Sequence, residues 1–150
     1  MNTAPSTFRN PDREAIDALL RAARTIAVIG LSDDPARPSF GVTRSMRGFG
    51  YRIVPVNPAL ESWEGIPAFP DLASAAAALG DDARIDLVNV FRRPAHVGRV
   101  VDDCLRLGLP ALWLQLGVVN AEAAARAVDA GMTVVMDRCI YVDRSSMRDR

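Results

Sequence analysis

The 150-residue sequence predicts a single α/β domain, a doubly wound parallel sheet in a three-layer αβα arrangement, and three observations carry that reading. Short, β-branched apolar runs alternate with helical stretches along the whole chain, as βαβ crossovers require. Within the runs apolar residues follow one another without polar alternation, which is how strands buried on both faces read. The length is that of about one domain, and 49% hydrophobic with 24% charged residues is a globular rather than a disordered composition.

The elements follow in order. Asn10-Pro11 predicts a helix start, with Asn as N-cap and Pro at the first helical position, and Ala15, Ile16, Leu19, Leu20 and Ala23 form its apolar stripe. Thr25 to Gly30 reads as the central first strand. After the polar loop Leu31–Pro38, Val42, Met46 and Phe49 give helical spacing to Ser39–Phe49, and Gly50 is its stop. Tyr51–Val56 is a second strand ending at Asn57-Pro58, and the Pro-containing piece Ile66–Phe69 suits a sheet edge. Asp71 caps an alanine-rich helix through Leu79. Strand Ile85–Phe91, helix Pro94–Leu107, strand Ala111–Leu114, helix Ala121–Ala130 and strand Met132–Met136 complete the pattern. The result is Rossmann-like, with predicted strand order 3-2-1-4-5-6 and Ile66–Phe69 as the third strand at the edge. Residues 1–24 read as a helical extension, 25–140 as the domain, and 141–150 as a polar, poorly ordered tail.

Composition narrows the function. Eighteen basic residues balance eighteen acidic ones, which leaves no basic footprint for nucleic acid or an anionic membrane. Every basic residue is Arg, so chemistry that needs a lysine amine, a Schiff base or a Walker loop among them, is excluded. Cys104, Cys139 and the single His96 make neither a structural zinc site nor a disulfide framework, which points to a reducing, cytoplasmic setting. The first residues lack the apolar core of a secretory signal, and no apolar run approaches the ~20 residues that span a bilayer.

In an open α/β sheet ligands bind beyond the carboxyl ends of the strands, so the loops there are the candidate site. They are Gly30–Gly41, Asn57-Pro58, Phe91-Arg92-Arg93-Pro94, Gln115-Leu116-Gly117-Val118 and Asp137-Arg138-Cys139. Gly30, the Ser32 and Ser39 hydroxyls and the amides opening the next helix suit a phosphate; the same residues equally serve turn and cap geometry, and the other loops must decide. The dinucleotide fingerprint G-x-G-x-x-G is absent after Gly30, and the second strand ends in Asn57 rather than the acid that takes a ribose hydroxyl. Both departures disfavour nicotinamide cofactors. Asp33 and Asp34 would repel phosphate, so they are expected to face solvent or cap the turn.

Arg92-Arg93 places two guanidiniums side by side, an arrangement that an anionic ligand would neutralise; alternatively one pairs with Asp71 or Asp86 and the other is solvated. Arg138 is a weaker candidate of the same kind. Cys104 continues the stripe Val97, Val100, Val101 and reads as core. Cys139 lies beside Arg138, where a cation could activate a thiol, but structural burial is the preferred reading. His96 reads as a surface residue, and Trp63 and Trp113 as core or loop anchors.

Taken together, Val28-Ile29-Gly30-Leu31-Ser32 with Arg37-Pro38-Ser39-Phe40-Gly41-Val42, Tyr51 to Pro58, Asp86 to Pro94, Trp113 to Val118 and Val135 to Ile140 resemble the small, single-domain coenzyme A-binding protein family. The likeness covers about residues 25–140 and extends to the N-terminal domain of the succinyl-CoA synthetase α subunit. It implies binding of coenzyme A or acyl-CoA, with Gly30, Leu31, Ser32, Arg37, Ser39 and Gly41 around the phosphates, Val56, Asn57 and Pro58 beside the nucleoside, and Phe91, Arg92 and Arg93 across the crevice. Gln115, Gly117, Arg138 and Cys139 complete the candidate set from the remaining loops. Coenzyme A carries roughly four negative charges near neutral pH, which suits paired arginines and turn amides. The expectation is a non-catalytic binding module without metal; the alternatives are an NAD(P)-dependent oxidoreductase on the same fold and a regulatory domain with a vestigial site.

Overall fold

Five of the apolar runs form one parallel sheet. The computed structural model describes residues 8–147. Strands β1 (Thr25–Ile29), β2 (Arg52–Val56), β5 (Leu87–Val90), β6 (Ala111–Leu114) and β7 (Thr133–Met136) lie in the order β2-β1-β5-β6-β7. Every residue of β1, β5 and β6 is buried, as unalternating apolar strands require. Helices α3 (Leu72–Leu79), α4 (Val97–Leu107) and α5 (Ala121–Asp129) cover one face through a core containing Ala27, Val88, Leu112 and Val134. Helices α1 (Arg13–Ala22), α2 (Pro38–Gly48) and α6 (Ile140–Ser145) cover the other, over Val28, Leu87, Trp113 and Val135. This is the predicted three-layer, Rossmann-like architecture. No described helix is long and apolar enough to cross a membrane.

The edge differs from the prediction. Ile66–Phe69 does not form a third strand: Ile66–Pro67 (β4) instead folds back on Ser62–Trp63 (β3) as a small antiparallel hairpin. Its turn residues Glu64 and Gly65 both have positive φ, 48° and 80°. β4 packs beside β2, but only Phe69 hydrogen-bonds to the main sheet, in one bridge to Val56. Pro67 and Pro70 lack the N–H that a longer ladder would use, so pairing stops at one residue.

Helix α1 starts later than expected. Its N-cap is Asp12, whose carboxylate accepts from Ala15 N at 2.9 Å. Asn10 instead donates from Nδ2 to Met136 O and accepts from Met136 N, so its amide closes the free edge of β7. Pro94 opens a 3₁₀ turn, Pro94–His96, and the α-helix begins only at Val97. The Asp71 cap is as predicted, with Ser74 N donating at 2.7 Å. Trp63 and Trp113 are both fully buried anchors.

The C-terminal segment expected to be disordered is helical as far as Ser145. Ile140 and Met147 are buried in the second core, and Asp143 is buried between two arginines. A buried helix face and neutralised charge supply the order that polarity alone argued against. Expectations for residues 1–7 and 148–150 fall outside the described residues.

Candidate functional site

Strand order reverses between β1 and β5, and the crevice opens there. The loops meet at Gly30, whose φ is +82° and whose missing Cβ would lie 2.3 Å from Phe91 O. Any side chain there would collide with the β5 loop, so the close approach demands glycine. Phe91 N donates to Ile29 O at 2.9 Å and fixes the same junction. Above it lies a crevice of about 650 Å³, walled by the turns after β1, β5, β6 and β7.

The turn after β1 is held by its own side chains. Ser39 Oγ accepts from Ser32 N, Ser32 Oγ accepts from Asp34 N, and Asp34 accepts from Ala36 N. The Ser oxygens therefore serve turn geometry while their hydroxyl hydrogens stay available, so the structural and ligand readings both hold in part. Asp34 caps the turn and Asp33 faces solvent, as expected. Helix α2 starts at Pro38 with Arg37 as its N-cap residue and no side-chain cap, leaving its N-terminus open at the crevice.

Charge in the crevice is one-sided. Arg37, Arg92 and Arg93 line it, and no Asp or Glu among the described residues does. None of the three makes an ion pair among the described residues. The acids that could have neutralised them are engaged elsewhere, Asp71 at the α3 cap and Asp86 accepting from Arg24 N and Thr25 N. Gln115 is 4% exposed, and its Oε1 accepts from Ile140 N at 2.9 Å while its Nε2 has no partner among the described residues. Gly117 N donates to Asp137 Oδ1 at 2.8 Å, which ties the β6 turn to the β7 turn.

Gly30, Ser32, Arg37, Ser39, Phe91, Arg92, Arg93, Gln115, Gly117 and Cys139 thus come together as the sequence predicted. Other members of the set do not. Leu31 is fully buried and belongs to the second core, and Gly41 lies a turn into α2 with no part in the crevice wall. Asn57 is tied into the fold, donating to Leu31 O and accepting from Ala59 N. Val56 and Pro58 line a separate groove of about 290 Å³, which Arg92 shares with the main crevice. Arg138 turns away to Asp143, with Nε and Nη2 at 2.7 and 2.6 Å from its carboxylate oxygens. Burial alone would push the Asp143 carboxyl up, but hydrogen bonds and charge from Arg138 and Arg13 outweigh it and hold the carboxyl below its ordinary range.

The thiols separate. Cys104 is fully buried, and burial first, then the nearby Asp103 charge, pushes its thiol up to about 12. It is inert core, as predicted. Cys139 corrects the preference for burial: it is half-buried and faces the crevice, because Ile140 rather than Cys139 points into the core. His96 is exposed, as predicted. The apolar walls are Pro38, Val42, Leu116 and Val118: Pro38, Leu116 and Val118 lie in the loops that the sequence singled out but were not among the predicted ligand residues, and Val42 lies just beyond them. Val42 follows Ser39 by three residues on one helix, a spacing that shares a face and was legible.

A doubly wound sheet with an open helix N-terminus and a cationic crevice at its switch point is the architecture of a nucleotide-binding α/β domain. Within that class, residues 24–145 match the CoA binding domain family, and the chain belongs to it. It is 40% identical over 135 residues to the uncharacterized protein YneT of Bacillus subtilis (strain 168), covering 90% of this chain and 96% of that protein. Its structure is similar to that of a hypothetical protein from Pyrococcus horikoshii OT3, with TM-score 0.81 and 27% identity over 93% of this chain and 96% of the other. A dinucleotide-forming acetyl-coenzyme A synthetase 1 of Ca. Korarchaeum cryptofilum shares the fold at TM-score 0.63 and 23% identity, over 79% of this chain and 28% of the synthetase.

Proposed function

We propose that the chain binds coenzyme A, free or acylated, in the crevice between the β1 and β5 turns, as a non-catalytic cytoplasmic binding module. One observation carries this reading: among the described residues, three arginines without ion-pair partners line a crevice that holds no acid, in a protein whose net charge is zero. A ligand with a pyrophosphate and a further phosphate neutralises all three, with bidentate geometry that only guanidinium offers. The apolar walls Val42, Leu116 and Val118 suit the pantetheine arm. Membership of the family supports a ligand of this kind.

An NAD(P)-dependent reading has less support. No second glycine follows Gly30, and the Asn57 side chain that would meet a ribose already holds Leu31 O and Ala59 N. Among the described residues the crevice wall contains no His, Lys, Asp or Glu to transfer a proton, which supports a module that binds without catalytic turnover. Melting curves with coenzyme A, acetyl-CoA, NAD, NADP and FMN test the proposal. At a hundredfold excess over its dissociation constant coenzyme A should stabilise by about 2.7 kcal/mol, raising Tm by roughly 5–10 °C. A shift with NAD and none with coenzyme A would overturn it.

A further inference from the structure

The far end of the crevice carries a group that binding alone does not use. Cys139 faces the crevice at the β7 turn, two strands from the arginines on the β5 turn, a separation of roughly 10 Å at ordinary strand spacing. Beside it stands Gln115, buried to 96%, whose Oε1 holds the N–H of the peptide that joins Cys139 to Ile140. That bond orients the amide, so Nε2 is left as a donor without a protein acceptor on the wall of the same crevice. That donor is open to the crevice rather than sealed behind it, and the pantetheine arm, which has two amide carbonyls and ends in sulfur, supplies an acceptor for it on the way to Cys139.

Resting on the coenzyme A reading above, we infer that Cys139 is a thiol–disulfide exchange site that captures coenzyme A covalently from its disulfide. With the phosphates of one half of a coenzyme A disulfide on the arginines, the Cys139 thiolate attacks the sulfur of that half. The coenzyme's S–S bond breaks and a Cys139–coenzyme A S–S bond forms. The other half leaves as a thiolate and takes a proton from solvent, replacing the one Cys139 gave up. One disulfide is exchanged for another, with no net oxidation. Reduced thiol reverses the step. The module then holds its ligand tightly under oxidising conditions and releases it when reducing power returns. Cys104, sealed in the core, takes no part.

The test uses fully reduced protein, incubated in parallel with coenzyme A disulfide and with glutathione disulfide and followed by intact and peptide mass spectrometry. One coenzyme A adduct per chain is expected, on the peptide containing Cys139, removable by dithiothreitol. It should form about tenfold or more faster than the glutathione adduct, because the bound disulfide is delivered to the thiol. Excess desulfo-coenzyme A should slow it. The adduct should be absent from Cys139→Ala and present in Cys104→Ala, and peptide mapping of the unaltered chain locates it even if either variant misfolds. Calorimetric titration of the reduced protein with coenzyme A runs alongside. Binding without adduct, or an adduct formed as fast from glutathione disulfide and indifferent to desulfo-coenzyme A, would overturn the exchange site alone. No binding in the calorimeter would overturn the coenzyme A reading, and this inference with it.

Discussion

Arg92 and Arg93 owe their interest to what they do not touch. Adjacent guanidiniums repel each other unless an anion neutralises them, yet Asp71 and Asp86 are committed to backbone amides instead. Replacing either arginine by alanine should weaken coenzyme A binding by about 1.5–3 kcal/mol, at least about tenfold in Kd, with little change in unfolding. Wild-type affinity in calorimetric titrations of both variants would make them ordinary solvated surface. Gly30 is the opposite case, a residue defined by contact. Gly30→Ala would put a methyl group against Phe91 O at a positive φ. The backbone strain alone costs of order 1–3 kcal/mol, and the clash adds to it. Urea unfolding should show the loss, and the parting of the β1 and β5 turns should abolish binding. Unchanged stability would mean that the junction yields without cost.

At the scale of elements, the terminal helices are fastened by one carboxylate. Asp143 on α6 accepts from Arg13 on α1 and from Arg138 at the end of β7, so two helices and a strand end share it. Its carboxyl is held below the ordinary range, and its stabilisation is therefore complete above about pH 4 and lost as pH falls through the depressed value. Asp143→Asn should lower stability near neutrality by about 1–3 kcal/mol, toward the lower end because both guanidiniums are about two-fifths exposed and screened. It should also flatten the acid limb of a stability-against-pH curve. An acid limb identical to that of the unaltered chain would remove Asp143 from the account. Leu116, by contrast, is 70% exposed on the crevice rim and has no comparable anchor.

For the whole molecule, the proposal of a non-catalytic module predicts that a fold shared with a synthetase region comes without the synthetase's reaction. This chain matches 28% of the synthetase's length, and its one histidine is exposed and faces the neighbouring groove. Purified protein with ATP, magnesium, coenzyme A and short carboxylic acids should therefore form no thioester. Turnover that survives stringent purification and disappears in His96→Ala would show a catalyst.

What the sequence by itself determined are the features that neighbours along the chain decide. Apolar runs of β-branched residues, the Asp71 cap and the glycine after β1 set the strands, a helix start and the site's position, because propensity and turn chemistry act over a few residues. The arginine-bearing β5 turn followed at once, since ligand position in such sheets depends on topology. Tertiary structure alone decided how side chains divide between ligand and scaffold. Asn57 turns to Leu31, 26 residues away, and Asn10 to Met136, 126 residues away. Arg138 lies only five residues from Asp143, yet polarity along 141–147 gave no sign that this acid would be buried, because burial came from α6 docking on the second core. A polar side chain goes where an unsatisfied partner waits, and that partner is placed by packing between distant segments, which no local spacing records.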